Sequence, residues 1–466
     1  MKIIFPLLLA ASLAGCAAIG PGDANVESLD AGQLGLKSVN VDWPSDTWWQ
    51  RYGDPQLNAL IEQALNGNPS MDAAQARLAA ANAAVRGAHA IRLPQADASF
   101  VSSRQRFSNN YIYPPPYGGS MMTDANLRLN VGFDLDLWGR NRARYAAAVS
   151  QEKAAEADVQ MARNTLVDAV VQSYFNLQNA LAQHEVLARI VEQQRNVLDI
   201  TRQRANAGLD TQVEVKQASS AVSAARVQLS QASTNAALLR NQLAALAGQG
   251  PERGQQIHKT TPKHPPTGVP DSIPLELLAR RPDIVAAKLR VEAASSQISA
   301  AKAEFYPNVN LNAFAGFMSL GLSNLLEGAS KVYGVGPAIS LPVFHGGELN
   351  AQLDTRRAER DLAVADYNQT LLDAIREVAN ATASINALQQ QTRDQEDSLQ
   401  AIESAYQIAV DRYKSGLGNF IQVLQAQNEV QTQAIQTTDL HVRAYKLDAQ
   451  LATALGGGYG AATKKH

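Results

Sequence analysis

One residue in this sequence is set up for covalent chemistry. Cys16, the only cysteine, follows Leu13-Ala14-Gly15 at the end of an apolar run from Ile3 to Ala14, which Met1-Lys2 opens with a positive charge. The run is shorter than the ~20 apolar residues a spanning helix needs, so residues 1–15 read as a signal peptide. Small residues ahead of the cysteine match the bacterial lipoprotein box, where a peptidase cuts before Cys16 and leaves it lipidated. The bland alternative is an ordinary signal peptide with an incidental cysteine. Acyl chains on Cys16 would anchor the chain stably, at ~0.8 kcal/mol per buried CH₂. Ala17 stands where an aspartate would retain a lipoprotein in the inner membrane, and so favours the outer membrane.

The remaining chemistry is sparse. A lone thiol permits no internal disulfide, CxxC pair or cysteine zinc site. Histidines at 89, 184, 258, 264, 345, 441 and 466 are scattered, without an HExxH. His258 and His264 lie in a Pro-rich stretch and read as solvated. No Ser/His/Asp set, phosphate loop or cofactor motif is present. The expectation is therefore no enzyme, no catalytic residue, no metal, and no cofactor beyond the covalent lipid. A net charge of −2 argues against nucleic-acid binding, which needs a basic face.

The elements behind these residues are written twice. Asn68–Gln95 aligns with Arg281–Asn308, matching Pro69 with Pro282, Arg77 with Arg290 and Pro94 with Pro307. Further on, the Gly208-Leu209 segment aligns with Gly416-Leu417, and Val215-x-Gln217-Ala218 with Val423-x-Gln425-Ala426. The organisation read from this is a lipidated segment 16–55, repeat one at 56–248, an extended Pro-rich linker at 249–274, repeat two at 275–456 and a tail at 457–466. Each repeat opens with an Ala-rich helix, 56–91 or 275–305. Strands follow at 98–107 and 126–137, and at 307–317 and 333–341. The clearest is 126–137, where Leu127, Leu129, Val131, Phe133, Leu135 and Leu137 alternate with polar or small residues. Next come helical stretches 140–207 and 348–415, free of Gly and Pro and about 100 Å long at 1.5 Å per residue. Gly208 and Gly416 turn them into return helices 211–247 and 419–455.

A strand of this length with one apolar and one polar face suits a membrane barrel wall. Asn126, Arg128, Asp134 and Asp136 suit a wet lumen, and the two aspartates could tune ion selectivity. Trp138 fits an interfacial girdle or packing at the strand–helix junction. Trp43, Trp48 and Trp49 read as apolar pins for the N-terminal segment. Four strands cannot close a barrel, since bacterial barrels have at least ~8, and an open edge in lipid leaves backbone groups unsatisfied. Several chains must therefore share one barrel; two would give eight strands and three would give twelve. The long helices would continue the lumen as a tube on the other side of the membrane.

With its lipobox, doubled strand–long-helix unit, Trp48-Trp49-x-x-Tyr52-x-Asp54-Pro55-x-Leu57-x-x-Leu60-Ile61 and Asp134-Leu-Asp-Leu-Trp-Gly-Arg140, the whole mature chain resembles the outer membrane factors of tripartite efflux systems. It is most similar to the lipoprotein (NodT-type, OprM-like) branch of the TolC superfamily. The resemblance implies a mainly α fold with a transmembrane β-barrel. Three chains would supply four strands each to a shared 12-stranded barrel, continued by a periplasmic α-helical tunnel. It implies a homotrimer in a Gram-negative outer membrane, with a periplasmic adaptor (membrane fusion protein) and an inner-membrane pump as partners. The expected function is a passive duct for small molecules such as drugs. The exit duct of a type I protein-secretion system and a structural lipoprotein tether are the alternatives.

In that family the second hairpin tip narrows the tunnel with an apolar residue and nearby acids. The matching positions are Ile421, Gln422 and Gln425, so glutamines replace carboxylates here. Glu214 and Tyr413 match two partners in the bonds that hold the tip closed, while Gly418 stands where the family has an arginine.

Overall fold

A computed structural model describes residues 26–29, 32, 34–37, 43–110, 112, 114–263, 272 and 274–460. The signal peptide, Cys16, His264 and His466 lie outside the described residues. The doubling is explicit in the elements. Helices α1 (Pro55–Gly67) and α2 (Pro69–Ala90) lead to strands β1 (Gln95–Arg106) and β2 (Met121–Asp134). Then come the long helix α3 (Arg140–Asn206) and its return α4 (Gln212–Leu246). After a one-turn helix α5 (Pro251–Gln255), the pattern repeats as α6 (Leu277–Arg280), α7 (Pro282–Ala303), β3 (Asn308–Leu320), β4 (Lys331–Ser340), α8 (Glu348–Lys414) and α9 (Phe420–Ala454). The two long helices have 67 residues each and the two returns 35 each.

Two expectations are corrected by proline. The single helices expected at 56–91 and 275–305 are each split, at Pro69 and Pro282. A proline disfavours helix in the residue before it, and Asn68 (ψ 124°) and Arg281 (ψ 120°) are both extended. The linker 249–274 is not wholly extended: Pro251, preorganised for the first helical position, starts α5. Each return helix ends against one of the proline breaks. A Cβ on Gly248 would lie 2.1 Å from the Gly67 carbonyl oxygen, and one on Gly456 would lie 1.9 Å from that of Arg280.

Contacts group the chain into two compact units. One includes Arg77–Ala155 and Ala286–Tyr367 and carries an antiparallel sheet in the order β1-β2-β3-β4. Register sorts its side chains by face. Leu127 opposes Phe100 and Phe317, Leu129 opposes Ala98 and Ala315, and Val131 opposes Ala96 and Ala313. On β4, Tyr333 and Val335 continue this apolar face opposite Ala315 and Ala313. The other face carries Asp97, Asn126, Arg128, Asn130, Asn310 and Asn312. Tyr333, Val335 and Ile339 are 82%, 75% and 69% exposed, far more contiguous apolar surface than a water-facing sheet tolerates. Among the described residues, β1 and β4 each leave an edge unpaired.

The strand bounds differ from the alternation read in the sequence. The strand expected at 126–137 begins at Met121 and ends at Asp134, and 98–107 becomes 95–106. The partners expected at 307–317 and 333–341 occupy 308–320 and 331–340. The early end at Asp134 has a chemical cause. Asp136 adopts a left-handed φ of 48°, and its carboxylate accepts from the Asn141 and Arg142 amides at 2.8 and 2.9 Å. Asp134 Oδ1 accepts from the Asp136 amide at 2.9 Å, and its Oδ2 pairs with Arg140 at 2.7 Å. Both aspartates thus hold the start of α3; the expectation that they stand free in a lumen is corrected. Trp138 packs at the same junction, stacked 4.8 Å from Tyr306 and donating from Nε1 to the Pro307 carbonyl at 2.8 Å.

The second unit includes Leu29–Ala76, Glu156–Val285 and the chain after Asn368. Its core gathers Trp48, Trp49, Tyr52, Leu57, Leu60 and Ile61 against Val171, Tyr174, Phe175 and Tyr445. Asp54 caps α1 through the Gln56 amide at 2.9 Å, ahead of Pro55. It also accepts from the Tyr174 and Thr260 hydroxyls at 2.5 and 2.6 Å. Tyr52 donates to Asp448 at 2.6 Å, beside Arg51 at 2.5 Å. Trp43 lies beneath the Arg280 guanidinium at 4.7 Å. No helix among the described residues is long and apolar enough to cross a membrane.

Candidate functional site at the helical hairpin tips

The second unit contains both helical turns. Gly208 and Gly416, with φ of 76° and 77°, end α3 and α8 in the left-handed conformation glycine adopts most easily. Leu209 and Leu417 then donate back to the carbonyls of Arg204 and Arg412 at 2.9 and 2.8 Å. The returns start with matched caps. Thr211 caps α4 and Asn419 caps α9, accepting from the Val213 and Gln422 amides at 3.1 and 3.0 Å. Below the turns, Val197, Leu198, Ala218, Val222, Val410, Phe420 and Val423 form one buried cluster around Tyr413.

One polar network ties the two turns together within a protomer. Arg204 Nε donates to Asp210 Oδ2 at 2.8 Å, and Nη2 donates to Oδ1 at 3.3 Å. Arg204 Nη1 donates to the Tyr413 carbonyl at 2.7 Å. Its guanidinium also stands 4.6 Å from the Tyr413 ring centroid. The Tyr413 hydroxyl donates to Asp210 Oδ2 at 2.5 Å and lies 3.2 Å from Thr201 Oγ1. Only 12% and 11% of the Arg204 and Asp210 side chains face solvent, so water competes weakly for these charge-assisted bonds. Burial pushes the Asp210 carboxyl up, but the bonds from Arg204 and Tyr413 outweigh it and hold the group below its ordinary value. Burial, and then the Asp210 carboxylate, push the Tyr413 phenol up to about 12.

The expected gate residues separate into two groups. Tyr413 is buried in the network, yet its partner is Asp210 and not Glu214. The reason is local. Glu214 sits at the third position of α4 and closes a capping box, accepting from the Thr211 amide at 2.8 Å and its hydroxyl at 2.5 Å. Those bonds, the hydroxyl first, hold its carboxyl below its ordinary value. Within one chain Glu214 thus serves as a cap. Ile421, Gln422 and Gln425 all project from the first turns of α9 and are exposed, Ile421 by 57%. Arg204, Asp210 and Thr201 were missed. Asp210 stands at the repeat position of Gly418, where the family's arginine would be, and the network's arginine comes instead from the first repeat.

A second feature of this unit is a cavity of about 630 Å³ lined by Asp168, Arg281, Asp283, Asp373 and Glu377 among others. Arg281 is bound there by Asp283 at 2.6 Å, Glu377 at 2.7 Å and the Ala454 carbonyl at 3.2 Å. A buried cation so fully partnered fastens the α6–α7 break to α8 and α9. Among the described residues no cluster of His, Cys, Asp and Glu could hold a metal ion.

Comparison with known proteins agrees with this architecture. The sequence profile of the family described as outer membrane efflux protein matches residues 60–249 and 273–457. The multidrug resistance outer membrane protein MdtP of Shigella flexneri is 31% identical over 466 residues, covering 97% of this chain and 95% of that protein. The fusaric acid resistance protein FusA of Burkholderia cepacia is 36% identical over 364 residues, 75% of this chain and 68% of that protein. The crystal structure of the outer membrane protein VceC of Vibrio cholerae superimposes with a TM-score of 0.84 at 37% identity, covering 89% of this chain and all of that one. The fold is thus the one in which strands build a shared outer-membrane barrel and long helices build a tunnel. With four strands, two helical hairpins and family likeness over nearly its whole length, the chain belongs to the outer membrane efflux protein family and is an outer-membrane efflux channel.

Proposed function

We propose that three copies of this chain close a twelve-stranded barrel and serve as the exit duct of a tripartite assembly. A periplasmic adaptor and an inner-membrane pump would complete that assembly. The observation that carries this reading is the four-stranded sheet with one apolar face, one polar face and two unpaired edges. In lipid such edges must be paired, and neighbouring copies pair β1 with β4 in a closed ring. The loops 107–120 and 321–330 then face the cell exterior. The transported class is small organic molecules, in keeping with relatives named for multidrug and fusaric acid resistance.

The lipid anchor fits the same arrangement. Arg360 on α8 donates to the Val26 carbonyl at 3.0 Å, and the Val26 amide donates to Asp361 at 3.4 Å. From there α8 rises about 20 Å to its start at Glu348. Acyl chains on Cys16 would add a lipid anchor to the barrel. At the tips, the Arg204–Asp210–Tyr413 network and Ile421 packing keep the duct closed at rest, with Gln422 and Gln425 giving the ring a neutral surface.

Chemical crosslinking of the full chain in outer-membrane vesicles tests the assembly. A ladder ending at the trimer mass is expected. A ladder ending at the dimer, or monomer alone, refutes the three-copy barrel.

A further inference from the structure

We propose that Arg128, laid against Phe314, is a specificity-determining contact for aromatic organic anions crossing the lumen of the barrel. The inference rests on the duct reading, which makes the polar face of the sheet the lumen wall. Among the described residues of the four strands, Arg128 is the only base on that face; the acids there are Asp97, Asp124 and Asp134. Asp134 is already paired with Arg140 at 2.7 Å. Among the described residues Arg128 has no ion pair. Asp124 is four residues away along the strand, roughly 14 Å. Asp97 opposes Asn130, a diagonal neighbour at about 7–8 Å.

The surroundings leave the guanidinium free to bind. Its carbon stands 5.1 Å from the Phe314 ring centroid, and Nη2 makes one weak contact to the Met318 sulfur at 3.7 Å. Nε is buried without a hydrogen-bond partner. The donors left for a ligand are thus those of Nη1 and the second N–H of Nη2. The pair is flanked by Ser99 opposite Arg128 on β1 and by glycines on the other side. Gly316 faces Arg128 across the β2–β3 pair, and Gly334 faces Phe314 across the β3–β4 pair. A Cβ on Gly334 would come within 2.8 Å of the Phe314 ring, so the ring lies over that glycine. A Cβ on Gly336 would meet nothing within 4 Å, leaving open floor beside the ring.

This arrangement fits one ligand chemistry. A carboxylate or sulfonate meets the guanidinium fork, and its attached aromatic ring stacks beside Phe314 over the bare backbone. An inorganic anion gains the charge only, and a neutral aromatic gains the ring only. Symmetry in a trimer places three such sites at one level of the lumen.

Equilibrium dialysis of naphthalene-2-sulfonate against the full chain in amphipol tests this, with channel activity of the same preparation checked in planar bilayers. Arg128→Gln should weaken binding about tenfold, the scale of one charge-assisted bond. Arg128→Lys should keep most of the affinity and Phe314→Leu should lose part of it. Neutral 2-naphthalenemethanol should bind wild type and Arg128→Gln alike. Equal sulfonate affinity in conducting wild type and Arg128→Gln overturns the assignment and leaves the duct standing. Absence of conductance in folded wild type and in Tyr413→Phe alike overturns the duct and the lumen site together.

Discussion

Arg204 and Tyr413, 209 residues apart in sequence, meet twice: a guanidinium N–H donates to the Tyr413 carbonyl at 2.7 Å, and the guanidinium stands 4.6 Å from its ring. Asp210 completes the contact by accepting from both side chains. The two hairpins of one protomer are thus latched near their turns by residues from both repeats.

Opening of the tips should follow loss of that latch. Tyr413→Phe keeps the ring in its buried cluster and removes one bond to a charged acceptor, worth about 1.5–3 kcal/mol. Asp210→Asn removes the charge that Arg204 pairs with. Both variants should raise single-channel conductance and sensitivity to vancomycin. Conductance equal to wild type in both would remove the latch from the gate.

The pH window follows from the direction of the shifts. Asp210 is held below its ordinary value, so the stability it gives is present above the unfolded value of ~3.9 and is lost as pH falls through its folded value. Tyr413 is raised to about 12. Its contribution is complete below the unfolded value of ~10 and is lost as pH rises through the folded one. Resting conductance should therefore be flat from about pH 5 to pH 9 and rise only in stronger acid or base. A step near neutrality would point to a different closing group.

The neutral ring makes its own prediction. Ile421→Ser should raise conductance, because it removes apolar packing from the narrowest expected ring. Gln422 and Gln425 offer divalent cations no anionic ligands. Millimolar magnesium on the tip side should block wild type weakly, and Gln425→Asp should block more strongly. Unchanged conductance in Ile421→Ser would take that residue out of the gate. Tight wild-type block would place an acidic ring elsewhere at the tip.

Gly456 tests the fold itself. Its φ is 100°, and an added Cβ would lie 1.9 Å from the Arg280 carbonyl oxygen. Gly456→Val should cost roughly 2–4 kcal/mol through backbone strain and overpacking, read as a lowered melting temperature in detergent. An unchanged melting temperature would show that α9 does not end against the α6–α7 break.

The sequence carried the frame of this molecule because the frame repeats. Paired prolines, paired glycines and one strictly alternating strand marked nearly every element to within a few residues. The misses are places where a side chain serves its own backbone. Asp134 and Asp136 fit the alternation of a strand, but Asp136 caps α3 and Asp134 pairs with Arg140 at its start. Arg204 and Asp210 went unread because only folding brings residues of the first turn onto Tyr413. The available signal was asymmetry between the repeats, an aspartate at 210 against a glycine at 418.

The most direct test of the central claim is single-channel recording of the purified full chain in a planar bilayer. A duct closed by its tips predicts small, discrete current steps in wild type, and larger steps in Tyr413→Phe from the same amount of folded protein. A bilayer that stays at baseline with both proteins inserted would contradict a channel outright.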